Sequence, residues 1–83
     1  MSEQSGDVRA LVELIAKSLV DTPAEVFVEQ IEEDGESVIE LEVAPGDVSK
    51  VIGRNGRTVR AMRALVSATG IRSQKRYALE VLE

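Results

Sequence analysis

The sequence predicts an α+β domain in the order helix, strand, strand, helix, helix, strand, with a three-stranded mixed sheet and helices packed on one face. Three observations predict it. Apolar residues recur at helical spacing from Val8 to Leu19. Two strand-like segments flank an Asp34-Gly35 dipeptide, a strong hairpin signal that pairs them antiparallel. A long two-helix stretch then separates the second strand from the third, enough chain for a crossover that lays those two strands parallel.

The first helix follows Asp7, a suitable N-cap, and places Val8, Leu11, Val12, Ile15 and Leu19 on one face. Thr22-Pro23 stops it, because a residue before proline disfavours the α region. Ala24 to Glu32 reads as a strand through Val26, Phe27, Val28 and Ile31. After the Glu33–Glu36 turn, Val38 to Val43 forms a second strand. Ile39, Leu41 and Val43 lie on one of its faces, Glu40 and Glu42 on the other.

Ala44-Pro45-Gly46 breaks that strand. Asp47 is placed to cap a short helix, Val48 to Ile52, which Gly53 ends. A tight loop, Gly53-Arg54-Asn55-Gly56, leads into a longer helix from Arg57. Its expected buried stripe is Val59, Met62, Leu65, Val66 and Thr69, with Gly70 as the C-cap glycine. A polar, basic link leads to the last strand, Arg76 to Leu82, with Tyr77, Leu79 and Val81 alternating.

Eighty-three residues suffice for one core. The expected organisation is a flexible N-terminus over 1–6 and a single domain over 7–83. Without Cys there is no disulfide, thiolate nucleophile or Cys-based metal site, and without His no His-dependent triad or His-ligated zinc. No cofactor or metal is expected. The carboxylates Glu32, Glu33, Asp34 and Glu36 lack calcium-loop spacing and read as a solvated turn, so an enzyme is not expected. No apolar run approaches a membrane span, and MSEQSGDVRA has neither the basic start nor the apolar stretch of a signal peptide. The expected location is the cytoplasm.

The net charge of −5 argues at first against nucleic acid, but its distribution does not. Residues 1–47 carry 13 acids against Arg9 and Lys17, giving −11. Residues 48–79 carry Lys50, Arg54, Arg57, Arg60, Arg63, Arg72, Lys75 and Arg76 with no acid, giving +8. Exposed helices usually mix signs to gain i,i+4 pairs, and this stretch does not.

The glycine loop lies at the centre of that basic stretch. Its glycines permit unusual dihedrals and let another backbone come close. The following helix turns unpaired N–H groups and a positive dipole end toward the loop, an arrangement that holds phosphate. Lys50, Arg54 and Arg57 surround it, and Asn55 and Thr58 add hydrogen-bond donors. Two glycines three apart would also fit a plain helix–helix turn, and no Gly-Lys-Ser/Thr follows to make a Walker loop.

The longer string Val51-Ile52-Gly53-Arg54-Asn55-Gly56-Arg57-Thr58-Val59 is more specific. It resembles the KH-domain motif, Val-Ile-Gly-x-x-Gly followed by an aliphatic position. Val59 stands where many KH domains have Ile. The element order resembles the type II KH arrangement over nearly the whole chain. In length, in the opening helix and in Val43-Ala44-Pro45, the chain resembles the small stand-alone bacterial KH proteins of the KhpA type.

The resemblance implies a single-stranded RNA-binding module whose loop clamps about four nucleotides by their backbone. The residues it carries over are Lys50, Ile52, Gly53, Arg54, Asn55, Gly56, Arg57, Thr58, Val59 and Arg60. Gly53 and Gly56 allow close approach, Arg54 and Asn55 form the tip, and Ile52 and Val59 either line an apolar base groove or belong to the core. The family further implies a homodimer, or a heterodimer with a KhpB (Jag/EloR)-type protein, and a role as post-transcriptional regulator or RNA chaperone in cell shape and peptidoglycan regulation. The alternative is a KH-fold protein-interaction or scaffold module, for which the acidic half suits a basic partner. Neither reading involves a membrane or a small-molecule substrate.

Overall fold

The computed structural model describes residues 8–83. The expected flexible segment 1–6 and the Asp7 cap lie outside the described residues. The elements are α1 (Val8–Leu19), β1 (Phe27–Glu33), β2 (Glu36–Glu42), α2 (Val48–Ile52), α3 (Arg57–Ser73) and β3 (Arg76–Val81), with short 3₁₀ turns at Pro23–Glu25, Pro45–Asp47 and Arg54–Gly56. The sheet order is β1-β2-β3. β1 and β2 pair antiparallel, and β2 and β3 pair parallel, as the connection lengths predicted.

The hairpin turns on Asp34 and Gly35, both at positive φ, the geometry a two-residue connection between twisted strands requires. The central strand β2 buries Ile39 and Leu41 completely against the helices. Around them gather Val8, Val12 and Ala16 of α1, Val28 of β1, Val51 of α2, Val59, Met62 and Val66 of α3, and Tyr77 and Leu79 of β3. Burying each of the larger aliphatic side chains contributes about 1.5–3 kcal/mol. Among the described residues, the opposite face of the sheet carries no helix.

Five local expectations need correction. The first strand begins at Phe27 rather than Ala24, because Pro23 starts a 3₁₀ turn there. The second strand runs from Glu36 to Glu42 rather than from Val38 to Val43, because Glu33 and Glu36 pair directly and leave only Asp34 and Gly35 in the turn. Leu65 is half exposed, Thr69 lies at the margin, and Leu19 is exposed where α1 ends, while Ala16 takes a buried place in α1. Asp47 sits at the N-cap of α2 but its carboxylate does not cap it. It accepts from the Thr22 backbone N–H at 3.0 Å and pairs with Lys50 at 3.7 Å, tying α2 to the segment after α1.

Gly70 is not the C-cap. α3 runs on to Ser73 and ends with Gln74 in the left-handed region. The Lys75 N–H bonds to the Gly70 carbonyl at 2.8 Å and the Gln74 N–H to that of Ile71, a Schellman arrangement with Gln in the glycine position. Gly70 instead lets α3 press onto the incoming strand. A Cβ there would lie 2.5 Å from the Lys75 carbonyl oxygen and 2.9 Å from Tyr77 Cδ2.

Candidate nucleic-acid interface

The α2–α3 junction is built on positive φ angles. Gly53 has φ 78° and ψ 167°, a region that is essentially glycine-only. Asn55 (φ 57°) and Gly56 (φ 74°) are both left-handed. Asn tolerates that conformation better than most residues, and Gly adopts it freely. The Gly53 N–H bonds back to the Ser49 carbonyl, closing α2, and the Gly56 N–H bonds to the Gly53 carbonyl across the loop. The 17-residue α3 then starts with no side chain capping it. Its first-turn N–H groups and positive dipole end therefore remain directed at the loop.

Arg54 and Asn55 are exposed at the tip. Arg57 and Arg60 are exposed on the first turn of α3, and the Arg60 side chain folds back toward the loop. Its Nη1 is 3.1 Å from where a Cβ on Gly56 would sit. Among the described residues no ion pair involves Arg54, Arg57 or Arg60. Three cations at one helix start, without carboxylate partners, form a local positive field.

The remaining sequence candidates divide. Gly53, Gly56 and Thr58 are half-buried in the loop framework, Thr58 packing against Gly53. Ile52 packs at the edge of the core and stays partly exposed beside the loop. Val59 is 5 % exposed and belongs to the core, so its side chain is not available to a ligand. Lys50 is a partner of Asp21 (3.4 Å) and Asp47, and so acts within the fold rather than as a free cation. Arg63, counted within the basic stretch, donates from Nε to the Leu79 carbonyl at 3.2 Å. Composition alone could not separate these engaged cations from the free ones. The i,i+3 spacing of Asp47 and Lys50 was the available signal.

The KH-domain family model described as KhpA/KhpB matches residues 9–81, nearly the whole chain, including the loop. The chain belongs to the KhpA/KhpB KH-domain family. It is 48 % identical over 73 residues to the RNA-binding protein KhpA of Treponema pallidum, covering 88 % of this chain and 91 % of that one. It is 41 % identical to KhpA of Clostridium perfringens over 90 % of this chain and 100 % of the relative. KhpA of Borreliella burgdorferi matches at 41 % over the full length of both chains. Among solved structures, an Aquifex aeolicus Era variant bound to GDP.AlF4- superposes with a TM-score of 0.58 at 17 % identity, over 89 % of this chain and 29 % of that one, a likeness of fold. The type II KH architecture expected from the element order is therefore the one this KhpA/KhpB-family chain adopts, and the family is not one of enzymes.

Proposed function

We propose that this chain is a single-stranded RNA-binding KH protein that holds about four nucleotides by their backbone at Gly53-Arg54-Asn55-Gly56. The observation that carries the reading is the loop itself. Two successive left-handed residues and a glycine-only residue open the start of α3, and three unpaired arginines surround it. In this reading phosphates meet the first-turn N–H groups of α3, with Arg54, Arg57 and Arg60 neutralising charge. Asn55 and Thr58 hydrogen-bond to the strand, and Ile52 offers the apolar edge for a base. Lys50 supports the site through Asp47, and Val59 supports it from the core. The relatives named RNA-binding proteins support the ligand class. A KhpB-type partner or a second copy, and a role in post-transcriptional control or as an RNA chaperone in the cytoplasm, complete the proposal. A scaffold that does not bind RNA accounts less well for three free cations at an open helix start.

The test replaces Arg54 and Asn55 together by Asp. Both are exposed, and Asp is accepted in the left-handed region, so the circular dichroism spectrum is expected to stay unchanged. Fluorescence polarisation with a single-stranded RNA is expected to lose binding. Equal affinity of variant and parent removes the loop from the site.

A further inference from the structure

Among the described residues, the helices cover one face of the sheet and leave the other bare. The register fixes which side chains share that bare face, because residues directly opposite one another point the same way. One row across all three strands is Glu29, Glu40 and Glu80. The next is Ile31, Val38 and Ala78, and the last is Glu33, Glu36 and Arg76. At the near end Phe27 lies opposite Glu42, and Leu82, whose N–H bonds to the Leu41 carbonyl, continues β3 alongside.

Two features set this face apart from an ordinary solvated surface. Three carboxylates stand directly opposite one another with no cation in the row, an arrangement that works against the sheet's own stability. Beside them Phe27 is 58 % and Leu82 40 % exposed. Phe27, Glu42 and Leu82 are shared by two adjoining grooves of about 450 Å³ each. The first is bordered by Glu29 and Glu40 and reaches round the β1 edge to Arg9 and Glu13 of α1; the second is bordered by Glu25 and Glu83 and reaches Val48 of α2. Arg9 is bound to the Val28 carbonyl and to Glu13. Arg76 stands at the far end of the face, beside Glu36.

The sign of the charge selects the occupant. Nucleic acid and anionic lipid headgroups are repelled. A second copy of this chain could offer only its basic loop and α3. That contact would be head-to-tail rather than self-complementary, and two chains of charge −5 repel at a distance. A separate protein with a cationic, apolar segment matches both the carboxylates and the exposed Phe27 and Leu82. We propose that the bare sheet face docks a basic amphipathic protein segment. Phe27 and Leu82 seat its apolar side chains, and Glu29, Glu40, Glu42 and Glu80 pair with its lysines or arginines. The loop joining α2 to α3 lies in the helical layer on the other side of the sheet, so a polyanion there and a basic protein here can be held together. This inference does not depend on the RNA reading.

The test titrates the isotopically labelled full chain with a synthetic amphipathic helix carrying Leu at i, i+3, i+4 and i+7 spacing and Lys at the other positions, followed by amide chemical shifts. Saturable shifts are expected to centre on Phe27, Glu29, Glu40, Glu42 and Leu82. Phe27→Ser, at an exposed position, is expected to weaken the peptide about tenfold, as loss of an aromatic anchor does, while leaving RNA affinity unchanged. Replacing Glu29, Glu40 and Glu80 together by Gln is expected to weaken the peptide while raising the thermal midpoint, a combination that a purely structural role does not produce. Shifts centred on the Glu32–Glu36 turn or on α1, absence of saturation, or a Phe27→Ser variant that binds like the parent overturns the proposal.

Discussion

Gly53 and Thr58 approach so closely that a Cβ on Gly53 would lie 2.3 Å from Thr58 Oγ1 and 2.8 Å from the Thr58 backbone nitrogen. Gly53 also has φ 78° and ψ 167°. Gly53→Ala therefore meets strain and overlap together, and is expected to cost about 2–3 kcal/mol or more. For a domain of this size that lowers the thermal midpoint by roughly 10 °C or more. Trimming Thr58 to Ala in the same chain removes the hydroxyl but not the backbone contact or the φ, so it restores only part of the loss. Gly56→Ala faces a left-handed φ and only the movable end of Arg60, and is expected to cost about 1–2 kcal/mol. Thermal melts of the three variants check the ranking. A Gly53→Ala protein as stable as the parent refutes the loop geometry.

Gly70 and Gln74 make a paired prediction with inverted signs. Ala in place of Gly within a helix ordinarily stabilises by about 0.5–1 kcal/mol. Gly70→Ala should instead destabilise, because its methyl would press on the Lys75 carbonyl oxygen and the Tyr77 ring. Gln74, outside the helix body, has φ 60° and ψ 38°, so Gln74→Gly should stabilise, by up to about 1 kcal/mol. Urea denaturation of both variants measures the two signs.

These two residues also show where sequence patterning stops. Element order, hairpin turn, strand directions and loop position all follow from local features: apolar period, Asp34-Gly35, Pro23 and the paired glycines. Gly70 looks like a terminator in the sequence because glycine usually is one there. Its true reason is a strand arriving from six residues further on, which no local rule contains. The same holds for the cations. Arg54, Arg57 and Arg60 are free, whereas Lys50 is held by Asp21, twenty-nine residues earlier, and Arg63 by the Leu79 carbonyl. Val59 could be read as groove or core until the packing of α3 placed it inside.

Ser37 sets the titration of Glu32. The Ser37 hydroxyl donates to the Glu32 carboxylate at 2.7 Å, and Gln30 Nε2 donates to it at 3.1 Å. The Ser37 bond first, then that from Gln30, holds the Glu32 carboxyl below its ordinary value, with Lys75 adding a smaller attraction. A carboxyl depressed in the folded state stabilises fully above its unfolded pKa. That contribution disappears as the pH falls through the folded value. Ser37→Ala should move Glu32 back toward the ordinary carboxylate range and flatten the acid limb of the stability profile there. Carboxyl-carbon NMR titration of Glu32 in both proteins reads the shift directly. An unmoved Glu32 means that Ser37 does not hold it.

Salt dependence distinguishes the free cations from the engaged ones. If Arg54, Arg57 and Arg60 neutralise two or three phosphates, log affinity for a single-stranded RNA should fall with log salt at a slope of roughly −1.4 to −2. Arg60→Ala should make that slope shallower by about 0.7, the share of one phosphate. Lys50→Ala should leave the slope unchanged, because Lys50 is already paired with Asp21 and Asp47. Its removal should lower stability, leaving the 3 % exposed Asp47 without its cation. Polarisation titrations over a series of salt concentrations, run beside thermal melts, separate the two behaviours. A Lys50→Ala protein with a shallower slope and unchanged stability would return Lys50 to the phosphate site and remove it from the fold.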